Sequence, residues 1–341
     1  MKALVYKGIK KIELEEVSEP DLLDDEVRIN VRACGICGSD VHGFLGSGRR
    51  IAPMIMGHEF SGVITEIGKK VEKYKKGDRV VVYPVISCGK CSLCKNGMID
   101  SCTDKKLFGV MAVNGAMAEY INVNERMLFK IPDSLSFLDA SLAEPLAVAC
   151  GAVKKIVGKE DISDLNILIV GSGTIGLLLL QVLKRNKPLR LFISDISSKR
   201  LAVAKKLGAE IINPLTEDIF KFLKSKTGEK GIDISFEAVG IAKTVEQAVL
   251  SLRKNGTSIW IGNMMKIIDL NMQHIVTNEL TIMGSYAYSI KDFKMAVDLL
   301  KENAINSSDI ISITKELSNG AELFEKLASG DEEIIKAVLV N

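Results

Sequence analysis

The chain has no run of eighteen consecutive apolar residues, which excludes a membrane-spanning helix. It also has almost no net charge, with 45 Lys and Arg against 43 Asp and Glu, leaving +2. That balance removes any global electrostatic case for nucleic acid or an anionic membrane as partner. Lysines and acids are interspersed, as on a solvated surface. There is no internal repeat and no low-complexity linker. The start, Met1 to Gly8, is too short and too alternating for a signal peptide, so the expected compartment is the reducing cytoplasm. Seven cysteines are an odd number, and four of them are clustered. Without a secretion signal, that pattern favours metal thiolates over disulfides.

What is present suits two domains, since 341 residues is long for one and the 47% hydrophobic content supports sizeable cores. Residues 1–150 read as mostly strand, with alternation or short apolar runs at 2–6, 26–34, 62–67, 79–85 and 118–123. From about residue 155 the texture changes. Strands at 166–170, 189–194, 233–239 and 258–262 alternate with helices such as 174–184 and 198–207. This pattern predicts a parallel sheet with helices on both faces. Two more helices, near 292–301 and 321–327, precede a last strand at 335–340.

Three constellations carry chemistry. The first is Cys88, Cys91, Cys94 and Cys102, four thiols within fifteen residues. Four soft ligands in one loop satisfy a tetrahedral zinc and leave no open position. A ferredoxin-type cluster would bring its fourth cysteine sooner and follow it with proline. A nucleic-acid zinc ribbon would bring more basic and aromatic surface. The second constellation is Cys37, Ser39 and His42 in one glycine-containing loop, with His58 and Glu59 downstream. Glu144 is a lone acid in apolar sequence, where a carboxylate is seldom left without a partner. Such a set offers an open metal site. Each residue also has a plainer reading: His58 as a core imidazole, Glu144 as a helix-start carboxylate, Cys34 and Cys37 as a redox pair. Cys34 and Cys150 read as packing residues, and His274 receives no role.

The third constellation is Gly171, Ser172, Gly173, Thr174, Ile175 and Gly176, placed between a strand and an apolar helix. In that context G-x-G-x-x-G marks a dinucleotide site, its glycines serving a tight turn, close pyrophosphate approach and helix–strand packing. Asp195 ends the next strand, nineteen residues after Gly176. A carboxylate there accepts hydrogen bonds from ribose hydroxyls and repels a 2′-phosphate, which favours NAD over NADP. Lys199 and Arg200 keep NADP open as the less favoured cofactor.

The order of these motifs resembles the zinc-containing medium-chain alcohol dehydrogenase family, in its polyol (sorbitol-type) branch. The likeness runs nearly end to end. It is carried by Cys34-Gly-Ile-Cys37-Gly-Ser39-Asp-Val-His42, Gly57-His58-Glu59-Phe-Ser-Gly62, Gly77-Asp78-Arg79-Val80, the four-cysteine lobe, Ala143-Glu144-Pro145 and the glycine motif. The sequence around Met54 to Gly62 and Asn278 to Tyr286 is also similar to hexitol-phosphate (galactitol 1-phosphate type) dehydrogenases.

The resemblance implies an α/β protein: a GroES-like β-barrel catalytic domain over 1–150, a doubly wound Rossmann domain over 151–285, and a segment over 286–341 completing the catalytic domain. It implies a catalytic zinc held by Cys37, His58 and the carboxylates Glu59 and Glu144, and a structural zinc on the four-cysteine lobe. NAD would contact Gly171, Gly173, Thr174, Ile175, Gly176, Asp195, Arg200, Val239, Gly262 and Ser285. Zinc would act as Lewis acid on a secondary alcohol, the proton would leave through Ser39 and His42, and hydride would pass to the nicotinamide. Homodimers or homotetramers are implied, with the apolar segments 259–261 and 280–283 as joining edges.

The pattern departs from sorbitol dehydrogenases at Gly284 to Tyr288, where Ala287 replaces an arginine between aromatic residues. Arg49 and Arg50 lie in the loop before His58 and read either as a phosphate clamp or as a solvated tip. Competing functions are a threonine or vicinal-diol dehydrogenase and, from a different class, a non-catalytic NAD-binding regulator.

Overall fold

The computed structural model describes residues 1–96, 98–157, 161–331 and 334–341, and of Glu229 the backbone alone. The chain divides into two compact units. The first joins Met1–Ala147 to Ser289–Asn341, and the second is Val148–Tyr288.

The first unit is organised by one long strand, Glu26–Ile36. Its inward residues alternate up to Val31, then every residue from Ala33 to Ile36 is buried. The change follows from its neighbours. One edge pairs throughout with Glu59–Ile67. The other edge is shared: Tyr120–Asn124 takes the beginning, and Lys336–Val340 takes the end. The sheet extends through Arg79–Val82 to Leu128–Lys130 on one side and to Ile311–Glu316 on the other. A three-stranded sheet of Lys2–Gly8, Lys11–Glu16 and Met54–Ile55 shares its core, where Leu4, Ile29, Met56, Phe60 and Met117 are fully buried.

The second unit is a six-stranded parallel sheet. Its spatial order is Glu210–Ile212, Arg190–Ser194, Asn166–Val170, Ile232–Glu237, Leu252–Trp260, Thr281–Gly284. The order runs outward in both directions from Asn166–Val170, the arrangement that opens a crevice at the carboxyl ends of the central strands. Strands pair with both its edges and the helices Thr174–Lys184 and Ala242–Leu250 pack against it, so all five of its residues are buried and it reads as an apolar run. The helix Thr174–Lys184 follows directly and buries Leu177 through Leu183.

Some of the strands missed by apolar patterning are very short, such as the buried Met54–Ile55, and two others stay wet. Lys11–Glu16 and Ile311–Glu316 are largely exposed and rich in charge. Leu252–Trp260 begins well before the apolar stretch that announces it, because its first half carries Arg253, Lys254 and Asn255 at half-buried to exposed positions.

The C-terminal segment is tied to the first unit by packing. Phe293, on the helix Ile290–Lys301, is fully buried, with its ring centroid 5.5 Å from Tyr83 and 5.2 Å from Phe129. Phe293→Ala removes that anchor and is expected to cost about 3–5 kcal/mol. The check is a lowered melting temperature and urea midpoint with far-UV circular dichroism unchanged at low temperature.

Candidate active site and metal centres

The helix Gly38–Phe44 begins on an unusual cap. Cys37 is extended (φ −80°, ψ 150°), and its thiol accepts from the Ser39 amide at 3.4 Å. Asp40 returns the bond, its Oδ2 accepting from the Cys37 amide at 3.0 Å. The cap is reciprocal, so it fixes the direction of the Cys37 sulfur. Ser39 and His42 are three residues apart and therefore share a helix face.

Cys37, His58 and Glu59 converge, with one ligand atom of each lying within 4.8 Å of the others. His58 and Glu59 are buried. The His58 Nδ1 has no hydrogen-bond partner and lies 3.8 Å from Asp40 Oδ1. Burial, aided by the nearby Glu59 charge, pushes the Cys37 thiol up to about 11. A thiol so placed ionises when a cation offsets the desolvation cost. An orphaned imidazole nitrogen, a thiol and a carboxylate within one small volume fit a zinc with an open position.

Glu144 sits in the first turn of the helix Ala143–Val153 and is buried. It is not grouped with the three converging ligand atoms. Its charge nonetheless reaches the same place, since it acts on Lys336 together with Glu59 and Cys37.

Lys336 is the residue that sequence reasoning passed over. Its side chain is only 3% exposed. The ammonium forms an ion pair with Glu59 Oε2 and donates to the Ile36 carbonyl at 3.0 Å. Burial alone would lower this lysine; the charges of Glu59 and Cys37 outweigh it and hold Lys336 above its ordinary value. Gly35 makes the room: a Cβ there would lie 2.2 Å from Glu59 Oε2 and 3.0 Å from Lys336 Cε.

Arg50 is neither a solvated tip nor a free clamp. Its side chain is 3% exposed, and Nη2 donates to Asp40 Oδ1 at 2.5 Å and to Ser39 Oγ at 3.2 Å. Burial of Asp40 would raise its carboxyl; His58 and Arg50 reverse this and hold it below the usual range. His42 is depressed, first by burial and then by the Arg50 charge, so it is neutral at physiological pH. Arg49 is exposed. Of the tyrosines near Ala287, Tyr286 is exposed and Tyr288 buried.

The four-cysteine lobe is compact. The Cys88 and Cys94 sulfurs are 3.9 Å apart, as are those of Cys91 and Cys102. The edge of a zinc tetrathiolate tetrahedron is about 3.8 Å for Zn–S bonds of about 2.3 Å. A disulfide would need about 2.0 Å, and all seven cysteines are free. The amides of Cys88, Cys91 and Cys94 each donate to a neighbouring sulfur at 3.4 Å. Amide hydrogen bonds bring Cys88 down to about 6, while desolvation and adjoining sulfurs push Cys94 up to about 11. That divergence is how crowded acids behave until a cation balances them.

In the second unit Gly171 has φ +102°, a conformation that favours glycine. A Cβ on Gly176 would lie 1.8 Å from the Gly171 carbonyl oxygen, whereas one on Gly173 would meet nothing within 4 Å. Gly176 thus permits helix and turn to touch, and Gly173, the cap before Thr174 and Ile175, leaves open space where a phosphate would approach. Asp195 binds this turn, accepting from the Ser172 amide at 2.6 Å and the Ser197 amide at 2.8 Å. The Arg200 amide donates to the Ser197 cap at 3.4 Å. A second acid organises the next strand end. Glu237, fully buried, accepts from the amides of Val239 (2.9 Å) and Gly240 (2.8 Å). Gly262 lies against it, a Cβ there falling 2.4 Å from Glu237 Oε2. Ser285 is buried and donates its amide to the Trp260 carbonyl at 2.7 Å. Glu237 carried no sequence signal beyond its place at a strand end.

Removing Lys336 strands the buried Glu59 charge. Lys336→Met is expected to cost about 3–5 kcal/mol of stability, and Lys336→Met with Glu59→Gln to recover much of it. Urea denaturation of the two variants decides; equal losses would mean that a stranded Glu59 charge is not what destabilises Lys336→Met.

Residues 23–133 match the family described as alcohol dehydrogenase GroES-like domain, and residues 174–302 match the family described as zinc-binding dehydrogenase. The chain is 32% identical over 345 residues to a sorbitol dehydrogenase of Bacillus subtilis, covering 99% of this chain and 97% of that protein. It is 35% identical over 330 residues to a D-arabitol-phosphate dehydrogenase of Enterococcus avium, covering 95% and 93%. The crystal structure of galactitol-1-phosphate dehydrogenase from Escherichia coli superposes with a TM-score of 0.91 at 28% identity, covering 100% of each chain. Among the described residues no helix is long and apolar enough to cross a membrane. With these likenesses spanning both units, the chain belongs to the zinc-dependent medium-chain alcohol dehydrogenase family, in its polyol dehydrogenase branch.

Proposed function

We propose that this protein oxidises a secondary alcohol of a polyol or polyol phosphate to a ketone with NAD as hydride acceptor. The observation that carries the reading is the convergence of Cys37, His58 and Glu59 beside the helix bearing Ser39 and His42. In this assignment Cys37, His58 and the carboxylates Glu59 and Glu144 serve the catalytic zinc, and Cys88, Cys91, Cys94 and Cys102 hold a structural one. Zinc supplies Lewis acidity toward the substrate hydroxyl, and the nicotinamide accepts the hydride.

The protein's own groups handle the proton. Ser39 is exposed on the first turn of its helix and accepts the hydroxyl proton as it hands its own onward. His42 is the terminal acceptor, and its lowered affinity for protons keeps it neutral and ready. Protonation of His42 therefore slows turnover only as pH drops below the ordinary histidine range. Ser39→Ala and His42→Ala are each expected to slow NADH formation roughly 100-fold or more, with zinc content unchanged. Metal analysis alongside single-turnover kinetics tests this; loss of zinc in either variant would remove that residue from the relay.

Asp195 still has acceptor capacity on both oxygens beyond its two amide bonds, which favours ribose hydroxyls over a 2′-phosphate. Asp195→Ala is expected to raise the NADP-to-NAD ratio of kcat/KM about tenfold or more. An unchanged ratio would show that another residue sets cofactor choice.

Two of the relatives act on polyol phosphates by name. Arg50 is engaged with Asp40 and Ser39, so a phosphate would meet Arg49 or a group outside this loop. The deciding experiment offers sorbitol, xylitol, galactitol 1-phosphate, butanediol and threonine to the zinc-loaded enzyme with NAD. Silence across the panel, with zinc and NAD demonstrably bound, would overturn the reading in favour of a non-catalytic NAD-binding protein. The sheet edge Thr281–Gly284, with exposed Met272 and Val276 on the helix Met272–Thr277 just before it, supports a homodimer or homotetramer.

A further inference from the structure

We propose that Arg50 is a positioning residue of the proton relay, its buried guanidinium holding the Ser39 hydroxyl with one acceptor and one donor site left to pass a proton along. The inference rests on the reading of Ser39 as the first relay group.

A serine hydroxyl has one donor and two acceptor sites. Arg50 Nη2 fills one acceptor site, at 3.2 Å. What remains is one acceptor and one donor, the minimum for a proton to enter from one side and another to leave on the other. An arginine cannot take up the proton, because it already carries all its protons and does not lose them. The relay therefore does not leak toward Arg50. The hydroxyl rotor, free on an otherwise exposed serine, has a fixed partner.

The placement of Arg50 is built from three sides. Nη2 is shared with Asp40 Oδ1 at 2.5 Å, which cancels the guanidinium charge beside the metal ligands. Asp40 is itself locked, because its other oxygen holds the Cys37 amide. The third side is Gly43. It lies on the same helix as Ser39, and a Cβ there would fall 2.2 Å from Arg50 Cδ and 2.9 Å from Nε. The absence of a side chain at position 43 is what lets the arginine stem lie across the helix and reach Ser39 and Asp40. The arginine sits eleven residues beyond Ser39 in a loop, yet its side chain is as buried as that of His58.

The test uses zinc-loaded enzyme, saturating NAD and the best substrate of the panel, reading single-turnover NADH formation. Arg50→Met is expected to slow it about tenfold or more, to raise the solvent deuterium isotope effect, and to leave zinc content and the KM for NAD unchanged. Added guanidinium at millimolar concentration restores part of the rate. Gly43→Ala, which keeps the charge but displaces the stem, reproduces the slowing; it also serves if Arg50→Met unfolds through the stranded Asp40. In a Ser39→Ala background, Arg50→Met adds no further loss. Unchanged rates in both variants, or an Arg50→Met loss as large without Ser39 as with it, would overturn the proposal while leaving the relay standing. Loss of zinc in step with activity would overturn it as well, by making Arg50 a support of His58. A Ser39→Ala enzyme with full activity would remove the relay reading itself, and Arg50's role with it.

Discussion

The interaction on which the catalytic unit depends is the buried contact of Lys336 with Glu59. A carboxylate at the start of the strand Glu59–Ile67 and an ammonium at the start of the last strand meet in a place with almost no water. Neither charge is tolerable there alone. The pairing of Lys336–Val340 with residues 33–36 is therefore more than sheet extension. It delivers the cation that lets an acid stand one residue from His58. The return of the C-terminal segment to the first unit, anchored by Phe293, follows from that electrostatic need as much as from apolar packing.

Small residues give these charges their room. Gly35 clears the Glu59–Lys336 pair and Gly43 clears the Arg50 stem. Both sit in regular structure, a strand and a helix, where glycine costs roughly 0.5–1 kcal/mol relative to alanine. The expense is local, and what it permits is a charged side chain lying flat against backbone. The nucleotide turn follows the same logic. There Gly176 lets a carbonyl approach, and Asp195 and Glu237 gather backbone amides at the ends of the two strands that flank Asn166–Val170.

Much of this was readable in the chain because it is local. The four cysteines, the cap residue Cys37 with Ser39 and His42, and the glycine turn each lie within one short stretch, where spacing dictates geometry. The helix Thr174–Lys184 and the strand before it are flanked by motif residues and carry one continuous apolar signal. What could not be read is what pairs across the fold. Lys336 looks like any lysine in a lysine-rich chain until the last strand sets it beside Glu59. Arg50 looks like a loop tip until Gly43 and Asp40 show where its side chain lies. Exposed strands such as Lys11–Glu16 carry charge at most positions, so the period of two has little apolar content to reveal it.

The charges at the centre also account for the kind of cation the site suits. Asp40 and Arg50 cancel one another directly. Lys336 is then one positive group acted on by three acids, Glu59, Cys37 and Glu144. A histidine that ligates a metal does so as a neutral imidazole and adds nothing to this sum. With all three acids ionised, the set carries two negative charges in excess, and a dication brings it to neutrality. A monovalent ion would leave one buried charge uncompensated, in a place where burial and the Glu59 charge already push the Cys37 thiol up. The buried lysine thus does two things at once. It makes the carboxylate affordable, and it trims the total charge to the value that zinc carries.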